Sequence, residues 1–307
     1  MSFIKQADAF ASRGKYATNK DFIYFDESDY SRSANREEFL LSVIKKAFGD
    51  RTFDVNLQPM VNANDKQIYG AELLLRIVDE YRNTAFRTDE LVNVAAKHDQ
   101  IAIISHALLD YIKALYLEYG AGFFASLGFK RLGLNTDYSF FTDKNFRSDI
   151  KKYLDEMKFP KQFLAFEIPE SDVANHLNEF KEIAKMTKEF NIVLVCDQYT
   201  GRFVSVEMLK EIGFNEVKIS RNLVLHIDSD NQRFLALKQL LGLIKRLDLK
   251  ASIVGVENID QYTLIKECDN TALLQGFYFY RPLEKQALIE TVRGTNRRVQ
   301  QEEPKNN

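Results

Sequence analysis

The sequence predicts an α/β chain whose main body is a TIM-like (β/α)8 barrel, on three observations. From residue 53 onward, short apolar runs alternate with amphipathic stretches of helical period. The runs read as eight strands, most of them separated by a helix. The body is about 240 residues long, close to the roughly 250 usual for such barrels.

The elements follow in order. Residues 1–33 read as an N-terminal extension, with a helix-compatible stretch from Ile4 to Tyr16, a short strand from Asp21 to Asp26, and a polar linker, ESDYSRS, from Glu27 to Ser33. Asn35 with Glu38 predicts a capping box opening a helix. The apolar stripe Phe39, Leu40, Val43, Ile44, Ala47 and Phe48 carries that helix to Gly49. It either packs on the following domain or connects it to something upstream, and the two roles are compatible. FDVNLQPMV (53–61) and QIYGAELLLRI (67–77) read as the first two strands, and 88–97 and 101–117 as helices. RLGLN (131–135), FLAFEI (163–168), IVLVCD (192–197), FNEVKI (214–219), ASIVGV (251–256) and ALLQGF (272–277) complete the eight. The barrel domain is assigned to residues 34–292 and a polar, disordered tail to 293–307.

Composition narrows the function. Forty-two Lys+Arg against 44 Asp+Glu give a net charge of −2, which argues against a broad grip on duplex nucleic acid. No apolar run is long enough for a signal peptide or a membrane insertion. Two cysteines, Cys196 and Cys268, are too few for a disulfide framework, and the expected location is the cytoplasm. The four histidines share no metal-ligand spacing.

In such barrels the chemistry sits at the C-terminal ends of the strands. Here the apolar strands repeatedly carry one polar group near that end: Glu72 and Arg76, Asn135, Glu167, Asp197, Lys218, Glu257 and Gln275. Any one of them alone is more simply a salt-bridge partner. The set in register is hard to explain by packing, because buried charges are costly unless they pair or bind a metal. Glu72, Glu167, Asp197 and the Asn135 carbonyl form a hard-oxygen set suited to Mg²⁺ or Mn²⁺, and Arg76 and Lys218 can neutralise a phosphate beside it.

At these residues the chain resembles the EAL domains, the cyclic di-GMP phosphodiesterases of bacterial second-messenger signalling. LQPMVNANDKQIYGAELLLR is similar to the family's opening segment. In order along the chain, LGLNTDY, AFEIPES, LVCDQYTGRFVSVEML, VKISRNLV, IVGVEN and QGFYFYRPL resemble its later motifs. The resemblance covers residues 36–290 and implies an EAL-type barrel. Residues 1–30 also resemble the last helix and strand of a GGDEF cyclase domain, which implies either the C-terminal part of a longer protein with an upstream GGDEF or sensor domain, or a truncated relative. A homodimer is implied by family analogy.

Carried over by position, Glu72, Asn135, Glu167 and Asp197 match metal ligands, and Lys218 matches the lysine that contacts the catalytic water. Gln58 and Arg76 match nucleotide contacts. Leu74 would lie under the nucleotide, Gln275 on the metal-water side and Pro282 near a base. The Glu257 carboxylate matches the two N–H donors of a guanine edge.

The departures bear on catalysis. Gln198 stands where the family has the second Asp of a pair, and Val254 where it has a Glu. Both fall on the second metal site, so one Mg²⁺ or Mn²⁺ at most is expected. Tyr199 to Arg202 replaces a glycine-rich loop. Ser220 and Leu73 stand where the family has Asp and Ala. The expectation is a degenerate EAL domain that binds cyclic di-GMP and signals, with phosphodiesterase activity lost or very weak. The alternatives are a metal-dependent phosphodiesterase with residual activity and a non-binding EAL-fold interaction scaffold.

Overall fold

The computed structural model describes residues 27–79, 84–86, 88–98, 100–120, 123–124, 128–142 and 146–302. The Ile4–Tyr16 helix and the Asp21–Asp26 strand expected from the sequence lie outside the described residues.

The barrel strands are β1 (Asp54–Asn62), β2 (Ile68–Arg76), β3 (Arg131–Asn135), β4 (Leu164–Pro169), β5 (Val193–Tyr199), β6 (Glu216–Ile219), β7 (Lys250–Val254) and β8 (Leu273–Gln275). They close in the order β1-β8-β7-β6-β5-β4-β3-β2. Strands β2 to β8 run parallel, whereas β1 is antiparallel to both neighbours. The short connection between β1 and β2 explains this, since it makes a hairpin and leaves no room for a crossover helix. The central strands are buried along nearly their whole length, as the apolar runs require of a sheet covered on both faces.

Side-chain caps start several of the barrel's helices. Ser205 accepts from the Met208 amide, Asp230 from Gln232 and Arg233, and Asn258 from Gln261. Ser220 accepts from the Asn222 amide and opens the four-residue turn Arg221–Val224.

The chain divides into two compact units. The larger holds the barrel. The smaller holds the helices α1 (Glu27–Gly49) and α2 (Thr88–Lys97), with a two-residue ladder between them in sequence (Val78–Asp79 with Thr84–Ala85). Within it, Arg36 donates to both carboxylate oxygens of Glu90 at 3.0 and 3.1 Å. Glu37 accepts from Lys97 at 2.7 Å and lies 2.9 Å from His98 Nε2.

Two boundaries differ from the sequence expectation. Helix α1 begins at Glu27, so Asn35 lies inside it and does not cap it. The ESDYSRS segment has no proline or glycine to stop a helix, and polarity alone does not. At the other end the last helix, α3 (Lys285–Glu302), runs through residues assigned to a disordered tail. Arg, Gln and Glu are good helix formers, and no proline intervenes before Pro304.

Candidate functional site

The C-terminal ends of the strands meet at the barrel mouth around one lysine. Lys218 on β6 donates to Glu72 of β2 at 2.6 Å and to Glu167 of β4 at 2.5 Å, and lies 3.7 Å from Asp197 of β5. Glu72 also accepts from Asn135 Nδ2 at 2.7 Å and from Gln275 Nε2 at 3.0 Å. All but Asn135 are buried. One tight group thus joins residues from six strands of the barrel and up to 203 positions apart in sequence.

Local chemistry places each of them. Inward-facing positions alternate along a barrel strand, so a polar residue at the last inward position reaches the mouth. Gly133 is at a lower inward-facing position. A Cβ there would come within 2.2 Å of the Glu167 carboxylate, so the glycine makes room for that side chain.

Three carboxylates face one ammonium, and the electrostatics follow. Burial raises the Glu72 carboxyl, but the Lys218 charge and the hydrogen bonds from Lys218, Asn135 and Gln275 outweigh it and hold Glu72 below the usual carboxylate range. Burial, with Glu72 and Asp197 close by, pushes Glu167 up to about 8 despite Lys218 beside it. Burial and Glu72 also raise Asp197. Burial works against the Lys218 charge, but the three carboxylates together hold its proton far more firmly than in water.

Above this group lies a cavity of about 290 Å³. Gln58, Glu72, Leu74, Asp197, Lys218, Glu257 and Gln275 line it, together with the two departures, Gln198 and Val254. Asn135 and Glu167 reach the group through their bonds to Glu72 and Lys218. Arg76 and Pro282 are not among the lining residues. Gln198 sits at an irregularity in the β5–β6 pairing, with φ +53° and its side chain exposed. Val254 ends β7 and offers no donor atom.

The loop after Gln198 is tied down from below. Buried Glu170 accepts from the Thr200 amide and hydroxyl at 2.8 Å each, and from the Phe203 and Val204 amides at 3.0 and 3.2 Å. Gly201 takes the one positive φ inside that loop, at +72°.

Sequence reasoning assigned no role to Arg221 or Phe277, both of which line the cavity. Arg221 packs over Gly255, whose φ is +82°, and donates to Glu257 at 2.6 Å. A glycine next to the unexpected Val254 was the available signal for that close approach.

Among the described residues, no three His, Cys, Asp or Glu groups stand in metal-binding geometry. The Lys218 ammonium takes the centre of the acidic group. The chemistry of the donor set still fits one divalent ion, with three carboxylates and an amide oxygen as hard ligands.

An α/β barrel with an antiparallel first strand and an acidic mouth centred on one lysine defines the class. The EAL domain model matches residues 42–282, and the chain belongs to the EAL domain family. The signaling protein YkoW of Bacillus subtilis (strain 168) is 25% identical over 289 residues, covering 92% of this chain and 34% of YkoW. The probable cyclic di-GMP phosphodiesterase PdeD of Escherichia coli (strain K12) is 25% identical over 254 residues, 83% of this chain and 45% of PdeD. The chain therefore spans less than half the length of either relative.

The solved MucR phosphodiesterase in complex with cyclic di-GMP shares the fold with a TM-score of 0.71, at 21% identity over 81% of this chain and 99% of that one. The FimX EAL domain from Pseudomonas aeruginosa, bound to cyclic di-GMP, gives 0.69 at 18% identity over 80% and 96%. EAL domains are in general divalent-metal-dependent phosphodiesterases. Among the described residues no helix is long and apolar enough to cross a membrane.

Proposed function

We propose that this chain is a degenerate EAL domain that binds cyclic di-GMP at the barrel mouth and signals with little or no hydrolysis. The observation that supports the reading is the composition of the cavity wall. Glu72, Asp197 and Lys218 line it, and so do Gln198 and Val254, the positions at which the resemblance implies ligands for a second ion.

Glu72, Asn135, Glu167 and Asp197 would hold one Mg²⁺ or Mn²⁺. Bound there, the ion would hold a phosphate oxygen and acidify a neighbouring water. Lys218 holds the acidic side chains together through its ion pairs with Glu72 and Glu167. Arg76 and Gln58 would grip the phosphates, Leu74 would lie under the nucleotide, and Gln275 would face the ion's water. Pro282 and Glu257 would meet a base, with Glu257 first leaving Arg221. The phosphate grip of one guanidinium contributes about 1–3 kcal/mol. A two-ion clamp on the attacking and leaving oxygens is what this wall lacks, and losing one such stabiliser commonly costs about 10²–10³ in rate. A homodimer and an upstream GGDEF or sensor domain in the longer protein belong to the same reading.

Calorimetry with cyclic di-GMP, with and without Mg²⁺, combined with chromatography of the products, tests it. The expected result is saturable binding with no linear dinucleotide after hours. Rapid Mg²⁺-dependent linearisation would replace this reading with an active phosphodiesterase. No heat in either condition would replace it with a non-binding scaffold.

A further inference from the structure

The opposite end of the barrel carries an ionic group of its own. Arg131 opens β3 and Glu216 opens β6, three strands apart around the closed sheet, so they meet only across the lumen. They form a buried ion pair through Arg131 Nη1, while the buried Arg131 Nε has no partner. Beside them Tyr69 of β2 meets Lys250 of β7, also three strands away. Three cations surround that ring: Lys250 Nζ at 4.1 Å from the centroid, the Arg131 guanidinium at 5.3 Å and Lys130 Nζ at 5.8 Å.

The acids of the region are already engaged. Glu216 is held by Arg131. Asp269, the next carboxylate acting on Lys250, accepts at one oxygen from the Thr271 amide at 2.9 Å and hydroxyl at 2.6 Å. Among the described residues neither Lys130 nor Lys250 makes an ion pair or a side-chain hydrogen bond. Burial lowers the Lys250 proton affinity, and repulsion from Arg131 and Lys130 adds to it against the pull of Glu216 and Asp269. Lys130 is exposed and Lys250 half-buried, so the group opens to solvent.

The three cations gather within 5.8 Å of one ring centroid and repel one another, and an anion placed among them relieves both the repulsion and the unfilled donors. We propose that the barrel floor, where Lys130, Arg131 and Lys250 surround Tyr69, binds a small phosphate-type oxyanion, either free or carried on a partner chain. The site is separate from the mouth and does not depend on the reading proposed for it.

Calorimetry on the whole chain with inorganic phosphate, and in parallel with a phosphoserine peptide, tests this. One saturable site is expected, weakened about tenfold or more by Lys250→Gln and by the exposed Lys130→Gln. Cyclic di-GMP binding measured on the same variants should not move. Stronger binding of the peptide than of the free ion would identify a partner-borne phosphate, and the reverse a free one. The proposal is overturned if neither probe saturates, if both variants bind as the unaltered chain does, or if cyclic di-GMP displaces the phosphate, which would put it in the mouth. Thermal melts of the variants identify any that fail to fold, and Lys130→Gln, on the surface, keeps the test valid if Lys250→Gln does.

Discussion

The two ends of the barrel carry ionic groups of opposite surplus. At the mouth one ammonium, Lys218, serves three carboxylates. At the floor one carboxylate, Glu216, is paired with Arg131 while two lysines stand near the same tyrosine ring. Strands β2, β3 and β6 contribute to both groups, each with one residue toward either end. The difference teaches that the sign of the uncompensated charge indicates what each end can take up: a cation at the mouth, an anion at the floor. It also separates a group that can adjust from one that cannot. Carboxylates left without a partner can take up protons, whereas a guanidinium stays charged at any working pH.

The strongest way to break that comparison is to remove the shared partner at each end. Glu216→Gln strands a buried guanidinium and should cost about 3–5 kcal/mol in urea unfolding. Lys218→Met should cost less, because the acids at the mouth can protonate. Millimolar Mg²⁺ should restore part of the loss in Lys218→Met, by binding the folded state only, and none in Glu216→Gln. Equal rescue of both variants, or of neither, would show that the two ends do not differ in the way their charges indicate.

A second prediction concerns the two mouth positions, Gln198 and Val254, at which the proposed function has a second ion's carboxylates missing. Val254→Glu combined with Gln198→Asp should raise linear-dinucleotide formation by about 10² or more in Mg²⁺. Each single change should do much less, because a clamp with one missing ligand is still incomplete. If the double variant stays silent while still binding cyclic di-GMP, the Tyr199–Arg202 loop is what limits turnover.

The sequence made the strands and the polar residues at their ends legible, because a buried strand is an apolar run and a lone Glu or Lys at its end stands out. Glu72, Glu167, Asp197 and Lys218 were found that way and do meet. The floor was not legible. Arg131 and Glu216 stand at strand starts, where a charged residue reads as an ordinary flank, and their 85-residue separation becomes a contact only when the sheet closes. The start of helix α1 was missed for a different reason, since a polar segment without proline or glycine gives no stop signal to read. The reversed first strand was implicit in the short connection after Asn62, but nothing in the apolar pattern of a strand records its direction.

The smallest effect concerns the loop that follows the altered side of the mouth. Glu170 holds it with four hydrogen bonds, two of them to amides at its far end. Burial raises the Glu170 carboxyl, but the bonds from Thr200, Phe203 and Val204 outweigh it and leave it below its ordinary value of 4.5. A carboxylate lowered by folding stabilises the folded state above its unfolded value, and that contribution disappears as pH falls through the lowered one. Glu170→Gln should therefore cost about 1–2 kcal/mol near neutral pH, since the amide keeps one acceptor oxygen and turns a donor toward other donors. The gap between the variant and the unaltered chain should narrow steadily below 4.5. Amide exchange at Thr200, Phe203 and Val204 should quicken in the variant while that of the central strands stays as it was. If those amides exchange no faster, the loop is held by its own turn around Gly201, and its altered sequence, not its anchor, sets the shape of that side of the mouth.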